Sequence, residues 1–538
     1  MKTKTIGKII PLILIFVLAV FVRLYNINFV PSGVYPDEAV NGIDALKTFY
    51  SGNYKWFYTD NNGREGLFMN LIALSYHLFG ISILGLKFPS IVFGSLSVLG
   101  SYFLTKELFR SHRAGLLVAF FIATSFWSIN FSRIAFRAIM LPTILTFSFY
   151  FLFRGIRNNK SFKLEKIKQF FYFSLSGFIF GVGLHTYIAF RIAPAILFIL
   201  FVALWITKKN FLKDYWLPGL FFIIFSIISM SPMLLDFYHH PEHLTSRSGE
   251  ISIFSSAMNH GHFLKTAGKS LGLSLVKYSF WGDQNWRHNY PPYPILNPLL
   301  GVAFLIGLIY IISKWFHLLF LRFKHNIRDR KFYVYSFLLA WFFGMLSPEF
   351  LSAEGLPHAL RAIGTLPPTY MIVAIPFLWT FGKIDNLKNQ HGFRSIVISS
   401  IFIILLFIGV SNIIKYHYFW AKNKHQAIAF ESSLMNVSDY LKTLPKNKKK
   451  IIIAGNMQII PIKLFNYKMP NTYRIHPDNL NHITSKLPKS FSDGYIFILT
   501  DNQKWIVDKL INTYPNLKFK KFKKVINEQP QTIWTVQK

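Results

Sequence analysis

The sequence contains no cysteine. Disulfide bridges, thiolate nucleophiles and cysteine-ligated metal centres are thereby excluded. Acidic residues are scarce, 23 Asp and Glu against 59 Lys and Arg, giving a formal net charge of +36. No glycine-rich P-loop pattern occurs, so the usual mark of a nucleotide site is missing, and no HExxH spacing occurs either. What is abundant is apolar: 52% of residues are hydrophobic and 18% aromatic. They come in long blocks, and a bilayer core of about 30 Å needs roughly 20 such residues per helix.

The basic excess would suit nucleic acid in a soluble protein. Here the positive charges sit in short runs between apolar blocks, which the positive-inside rule explains without a nucleic-acid partner. Spans are expected near 9–25, 88–104, 115–131, 141–153, 170–184, 192–206, 217–230, 296–312, 332–346, 369–381 and 396–414, about eleven in all. Lys2, Lys4 and Lys8 precede the first block, and no small-x-small cleavage site follows it, so an uncleaved first span is expected. Every second loop is basic, from Lys106, Arg110 and Arg113 to Lys383, Lys388 and Arg394, which puts the N-terminus in the cytoplasm. The expected class is an α-helical polytopic membrane protein, multi-pass and in the plasma membrane, with residues 1–420 as its membrane domain.

Two long loops, 26–89 and 231–294, fall on the outer side, and loops of that length usually carry function. Leu67 to Phe79 and Lys265 to Tyr278 have the spacing of helices lying in the interface. Residues 421–538 change to the composition of a small soluble α/β domain outside the membrane. Strands are expected at Ile451–Ala454 and Gly494–Leu499, and a helix at Trp505–Asn512. Its lysines suit contact with anionic lipid or wall polymer, although a solvated basic face is the plainer reading. No internal repeat of the kind a secondary transporter shows is visible.

The sharpest local feature is Tyr35-Pro36-Asp37-Glu38-Ala39, about ten residues past the first span. A carboxylate held beside hydrocarbon suits a general base. The plainer alternative is a turn at Pro36 with Asp37 as a helix N-cap. The second feature is a set of cations on the same side: Arg133 and Arg137, His185 and Arg191 with Tyr187 between them, Arg247, and His358 and Arg361. Arginine suits bidentate phosphate binding, whereas any single one is explained as well by snorkelling to lipid headgroups.

Three motifs then resemble the GT-C membrane glycosyltransferases, in particular the protein O-mannosyltransferases and lipid A aminoarabinose transferases. They are Arg23-Leu24-Tyr25 ahead of Pro36-Asp37-Glu38-Ala39, Ser132-Arg133-Ile134-Ala135-Phe136-Arg137, and Pro357-His358-Ala359-Leu360-Arg361-Ala362-Ile363-Gly364. The resemblance implies a polyprenyl-phosphate sugar donor and inverting transfer to a hydroxyl of a glycan, lipid or protein. It implies Asp37 as base or as metal or donor ligand, Glu38 orienting a substrate, and Arg64 and Glu65 in a second polar motif. No nucleotide is implied; a divalent metal, with Asp37 among its ligands, is left open. The tail lacks the Trp-Trp-Asp of oligosaccharyltransferases. The alternative is a transporter or flippase for a lipid-linked or anionic glycan, which would need ionisable groups near the midplane.

Overall fold

The structure, a computed structural model, describes residues 2–157, 163–245, 252–352, 354–386, 391–475, 494–499, 503–513, 515, 518–526 and 529–537. The chain divides into two compact units. The first comprises Met1–Ile27, Asn53–Ile72 and Lys87–Trp420; the second comprises Asn28–Gly52, Ala73–Leu86 and Ala421–Lys538.

The first unit is a set of apolar helices. Among the described residues, eight are long and apolar enough to cross a membrane: Ile83–Phe109, Arg137–Arg157, Leu164–His185, Ile188–Thr207, Phe211–His239, Pro298–His325, Ile363–Ile384 and Gly392–Trp420. A bent pair, His112–Thr124 and Phe126–Ser132, makes a ninth if counted as one span. Each apolar block of the sequence forms a helix. Ile9–Leu24 is shorter than the eight. Arg330–Phe350 carries Arg330, Lys331 and Glu349, which dilute its apolar character.

The 60° bend has a local cause. Ser125 ends one helix in extended backbone and caps the next, its Oγ accepting from Ser128 N at 3.3 Å. Orphan backbone groups at such a break must find partners where no water reaches. Arg23 donates to the carbonyls of Ala123 at 3.2 Å and Ile122 at 3.4 Å, and ties in the hydroxyls of Ser128 at 2.7 Å and Ser132 at 3.0 Å. Arg133 returns the brace by donating to the carbonyls of Val22 and Arg23 at 3.0 and 2.7 Å.

Helices Lys163–Val182 and Phe211–His239 approach closely along Gly177 and Gly181. A Cβ at Gly177 would lie 2.1 Å from Phe222 O, and one at Gly181 1.9 Å from Ser229 Oγ. Small residues four apart let helix backbones meet where lipid removes the hydrophobic drive.

In the first long loop, strands β1 (Phe57–Tyr58) and β2 (Arg64–Glu65) pair antiparallel. The turn between them holds Asn61, Asn62 and Gly63 at φ of 53°, 62° and 78°. Asparagine and glycine tolerate that left-handed region best. The helices expected at 67–79 and 265–278 form as Leu67–Phe79 and Phe263–Ser279.

Among the described residues, the second unit holds five strands: β3 (Lys449–Ala454), β4 (Thr472–Ile475), β5 (Gly494–Leu499), β6 (Lys518–Ile526) and β7 (Gln529–Gln537). Their order is β4-β3-β5-β7-β6, with β3 parallel to β4 and β5, and β7 antiparallel to β5 and β6. The Ile-rich run of β3 is buried, as a central parallel strand requires. Helix Ser432–Thr443 closes the core with Leu434, Val437 and Leu441 against Ile452, Ile462 and Phe497.

Helix Pro36–Ser51 belongs to this unit, although it lies far earlier in the chain than the helix Asn456–Phe465 it packs on. Gly42 lets it approach helix Asn456–Phe465, since a Cβ there would lie 2.7 Å from Leu464 Cδ2. Tyr50 stacks on Tyr467 at 5.9 Å, and Lys468 Nζ lies 3.8 Å from the Tyr50 ring centroid.

Candidate active site

Asp37 and Glu38 occupy the first turn of helix Pro36–Ser51. The N-cap is Tyr35 and Pro36 begins the helix, so Asp37 is not the cap the plainer sequence reading allowed. Proline's fixed φ suits the first helical position, where a missing N–H costs nothing. Two carboxylates in the first turn face the positive end of the helix dipole. Tyr35 Oη donates to Asp37 Oδ2 at 2.5 Å, which fixes one carboxylate oxygen. Glu38 is fully buried. Gly33, just upstream, is pinned against the tail: a Cβ there would lie 2.1 Å from Phe430 O.

In the first unit, hairpin β1–β2 gathers several of the candidate cations. Arg137 Nε donates to Glu65 Oε2 at 2.6 Å, and both groups are buried. Arg137 also lies over the Tyr187 ring at 5.6 Å. Its Nη2 is buried and has no hydrogen-bond partner among the described residues. Arg64, also buried, donates to Asp60 O at 3.1 Å. The His185 ring is 5.6 Å from that of Trp56, and its Nε2 meets Ser229 O at 2.9 Å. Arg191 lies over Phe237 at 5.4 Å and donates to Leu244 O at 2.6 Å. Phe237 in turn packs on Phe57 of β1 at 6.3 Å. Glu65, Arg137, Tyr187, His185 and Arg191 thus surround one hairpin.

The remaining cations go elsewhere. Arg133 is spent on the carbonyls that end the first helix, as described above. Arg247 lies outside the described residues. His358 joins a cluster that sequence reasoning missed, with Asp283 and His288 of loop 280–297. Asp283 Oδ2 accepts from Ala359 N at 2.7 Å and lies 3.0 Å from His288 Nδ1, and the two imidazoles are 4.7 Å apart. Burial alone would raise the Asp283 carboxyl, but the adjacent His288 and the Ala359 amide hold it below its usual range. Burial, and then His288 beside it, push His358 well below the usual imidazole range. The signal for this loop was its density of polar and aromatic residues, Gly282-Asp283-Gln284-Asn285-Trp286-Arg287-His288, between two apolar helices. Arg361 donates to Glu354 O at 2.7 Å.

Among the described residues, two groups have the spacing to hold a metal ion: Asp283, His288 and His358, and the more exposed His240, Glu242 and His243. Asp37 is in neither.

Known proteins bear on this geometry. The family model described as dolichyl-phosphate-mannose-protein mannosyltransferase matches residues 67–234. No curated protein sequence matches the chain. Among solved structures, ArnT from Cupriavidus metallidurans bound to undecaprenyl phosphate is similar at a TM-score of 0.55 and 11% identity, over 98% of this chain and 97% of that one. The archaeal oligosaccharyltransferase AglB from Archaeoglobus fulgidus, in complex with an inhibitory peptide and a dolichol-phosphate, is similar at a TM-score of 0.54 and 15% identity, over 87% of this chain. The match spans 65% of that oligosaccharyltransferase. At these identities the likeness shows a shared fold, that of GT-C membrane glycosyltransferases, and residues 67–234 carry the similarity to the mannosyltransferase family.

Proposed function

We propose that the protein transfers a sugar from a polyprenyl-phosphate donor to a hydroxyl acceptor at the outer face of the membrane, with Asp37 as the base. The observation that carries this reading is the acidic pair opening helix Pro36–Ser51, with Asp37 held by the Tyr35 hydroxyl, in a chain of GT-C fold. The acceptor O–H gives its proton to the Asp37 carboxylate as the oxygen attacks the sugar C1. The C1–O bond to phosphate breaks, and polyprenyl phosphate leaves with the electron pair. Attack opposite the leaving group inverts C1.

The phosphate charge needs a counter-charge at the moment it develops, and fixed cations in a dry site supply it without reorganising. Arg137, whose Nη2 is buried and without a partner among the described residues, suits that task. Tyr187 lies under Arg137, His185 and Arg191 lie by the same hairpin, and Glu65 holds Arg137 in place. The sugar is a hexose or pentose, the acceptor a glycan, lipid or protein, and the N-terminus is cytoplasmic with residues 421–538 outside.

The test is turnover in detergent. Purified protein is incubated with a polyprenyl-phosphate sugar and a hydroxyl acceptor, and released polyprenyl phosphate is measured. Release by the wild type and its loss in Asp37→Asn support the reading. Near-normal release by Asp37→Asn removes Asp37 as base, and turnover in detergent excludes an obligate transporter.

A further inference from the structure

We infer that Asp283, His288 and His358 form a divalent-cation site of the zinc type, tying loop 280–297 to the segment after helix Arg330–Phe350. This inference uses none of the residues given a part in transfer and rests on none of that reading.

One ligand atom from each of the three side chains lies within 4.8 Å of the other two. Asp283 and His288 are buried, and His358 is largely so. A tetrahedral zinc with bonds of about 2.0–2.1 Å holds its ligand atoms roughly 3.4 Å apart. Closing the site therefore takes side-chain rotations of about an ångström. Two imidazoles and one carboxylate, with a fourth position left to water or another oxygen ligand, are a donor set zinc accepts.

The surroundings orient the ligands as metal sites require. Asp283 Oδ1 accepts from Asn285 N at 2.8 Å and Oδ2 from Ala359 N at 2.7 Å. The backbone N–H of His358 donates to Glu349 Oε1 at 2.8 Å. Loop 280–297 is itself anchored, since Asn130 Nδ2 donates to Arg287 O at 2.8 Å and Trp420 Nε1 to Trp286 O at 3.1 Å.

The competing account is a hydrogen-bonded Asp–His pair packed against a second ring, with no metal. The two are separable. Full-length protein in detergent is stripped with chelator, loaded with Co²⁺ and passed over a desalting column, and bound cobalt and its visible spectrum are measured. One equivalent with the intense bands of a four-coordinate centre is expected in wild type. His288→Ala and His358→Ala should lose that equivalent, and His243→Ala should keep it. Because an alanine variant can fail to fold, His358→Cys is the fourth protein: a thiolate ligates cobalt, so it should retain the equivalent with a shifted, sulfur-type spectrum. Wild-type protein that retains no cobalt overturns the inference. So does an equivalent that survives both His288→Ala and His358→Ala, or that disappears with His243→Ala alone.

Discussion

Arg137 donates through Nε to Glu65 Oε2 at 2.6 Å, joining positions 72 residues apart, with both groups buried. A buried pair adds little relative to an apolar replacement, but removing one partner strands a charge and costs about 3–5 kcal/mol. Arg137→Met is therefore expected to destabilise the protein by about that amount, while Arg137→Met with Glu65→Leu should recover much of it. Thermal unfolding in detergent reads the difference. Equal losses in the single and double variants would show that the pair is not coupled.

A second pair makes the same point. Lys277, on helix Phe263–Ser279, meets Glu349 in an ion pair whose side chains are wholly buried. Lys277→Met should cost about 3–5 kcal/mol, and Lys277→Met with Glu349→Leu much less. Wild-type stability in Lys277→Met alone would refute this.

The hydroxyl of Tyr35 holds one oxygen of Asp37 at 2.5 Å. If Asp37 is the base, Asp37→Asn should lower transfer by about 10²–10⁴-fold. Tyr35→Phe removes only the orienting hydrogen bond, and a bond to a charged group is worth about 1.5–3 kcal/mol. A loss of about 10- to 100-fold in kcat is therefore expected in Tyr35→Phe, with donor KM little changed. A rise in KM at constant kcat would assign Tyr35 to donor binding instead.

Glycines 33 and 219 give a paired test of close packing. A Cβ at Gly33 meets backbone atoms of Phe430 and Ser432 at 2.1 and 3.0 Å, whereas one at Gly219 meets nothing within 4 Å. Backbone cannot swing aside, so Gly33→Ala should destabilise the second unit by at least about 1–3 kcal/mol. Gly219→Ala, inside helix Phe211–His239, should be neutral or stabilising by up to about 1 kcal/mol. Limited proteolysis and unfolding midpoints separate the two; equal behaviour would contradict the packing argument.

Much of the fold was legible because its signals are local. The apolar block near 217–230 needed only its own residues to be read as a helix, and Gly494–Leu499 only its β-branched and aromatic run to be read as a strand. Arg133 shows the reach of local reading: a candidate phosphate ligand by sequence, it donates to the carbonyls of Val22 and Arg23 near the end of the first helix. Its sequence neighbours Ser132 and Ile134 say nothing of a helix 110 residues earlier.

By itself, the sequence determined a polytopic chain with the basic-loop alternation of a membrane protein and an acidic pair, Asp37 and Glu38, shortly past its first apolar block. Hydropathy and charge pattern act over a few residues, so composition and spacing suffice for them. Only tertiary structure decided that Asn28–Gly52 packs with the tail, that Glu65 holds Arg137, and that Asp283 and His288 meet His358. Those pairings join segments far apart in the chain, and a contact of that kind is set by topology and burial rather than by any property of the residues beside it.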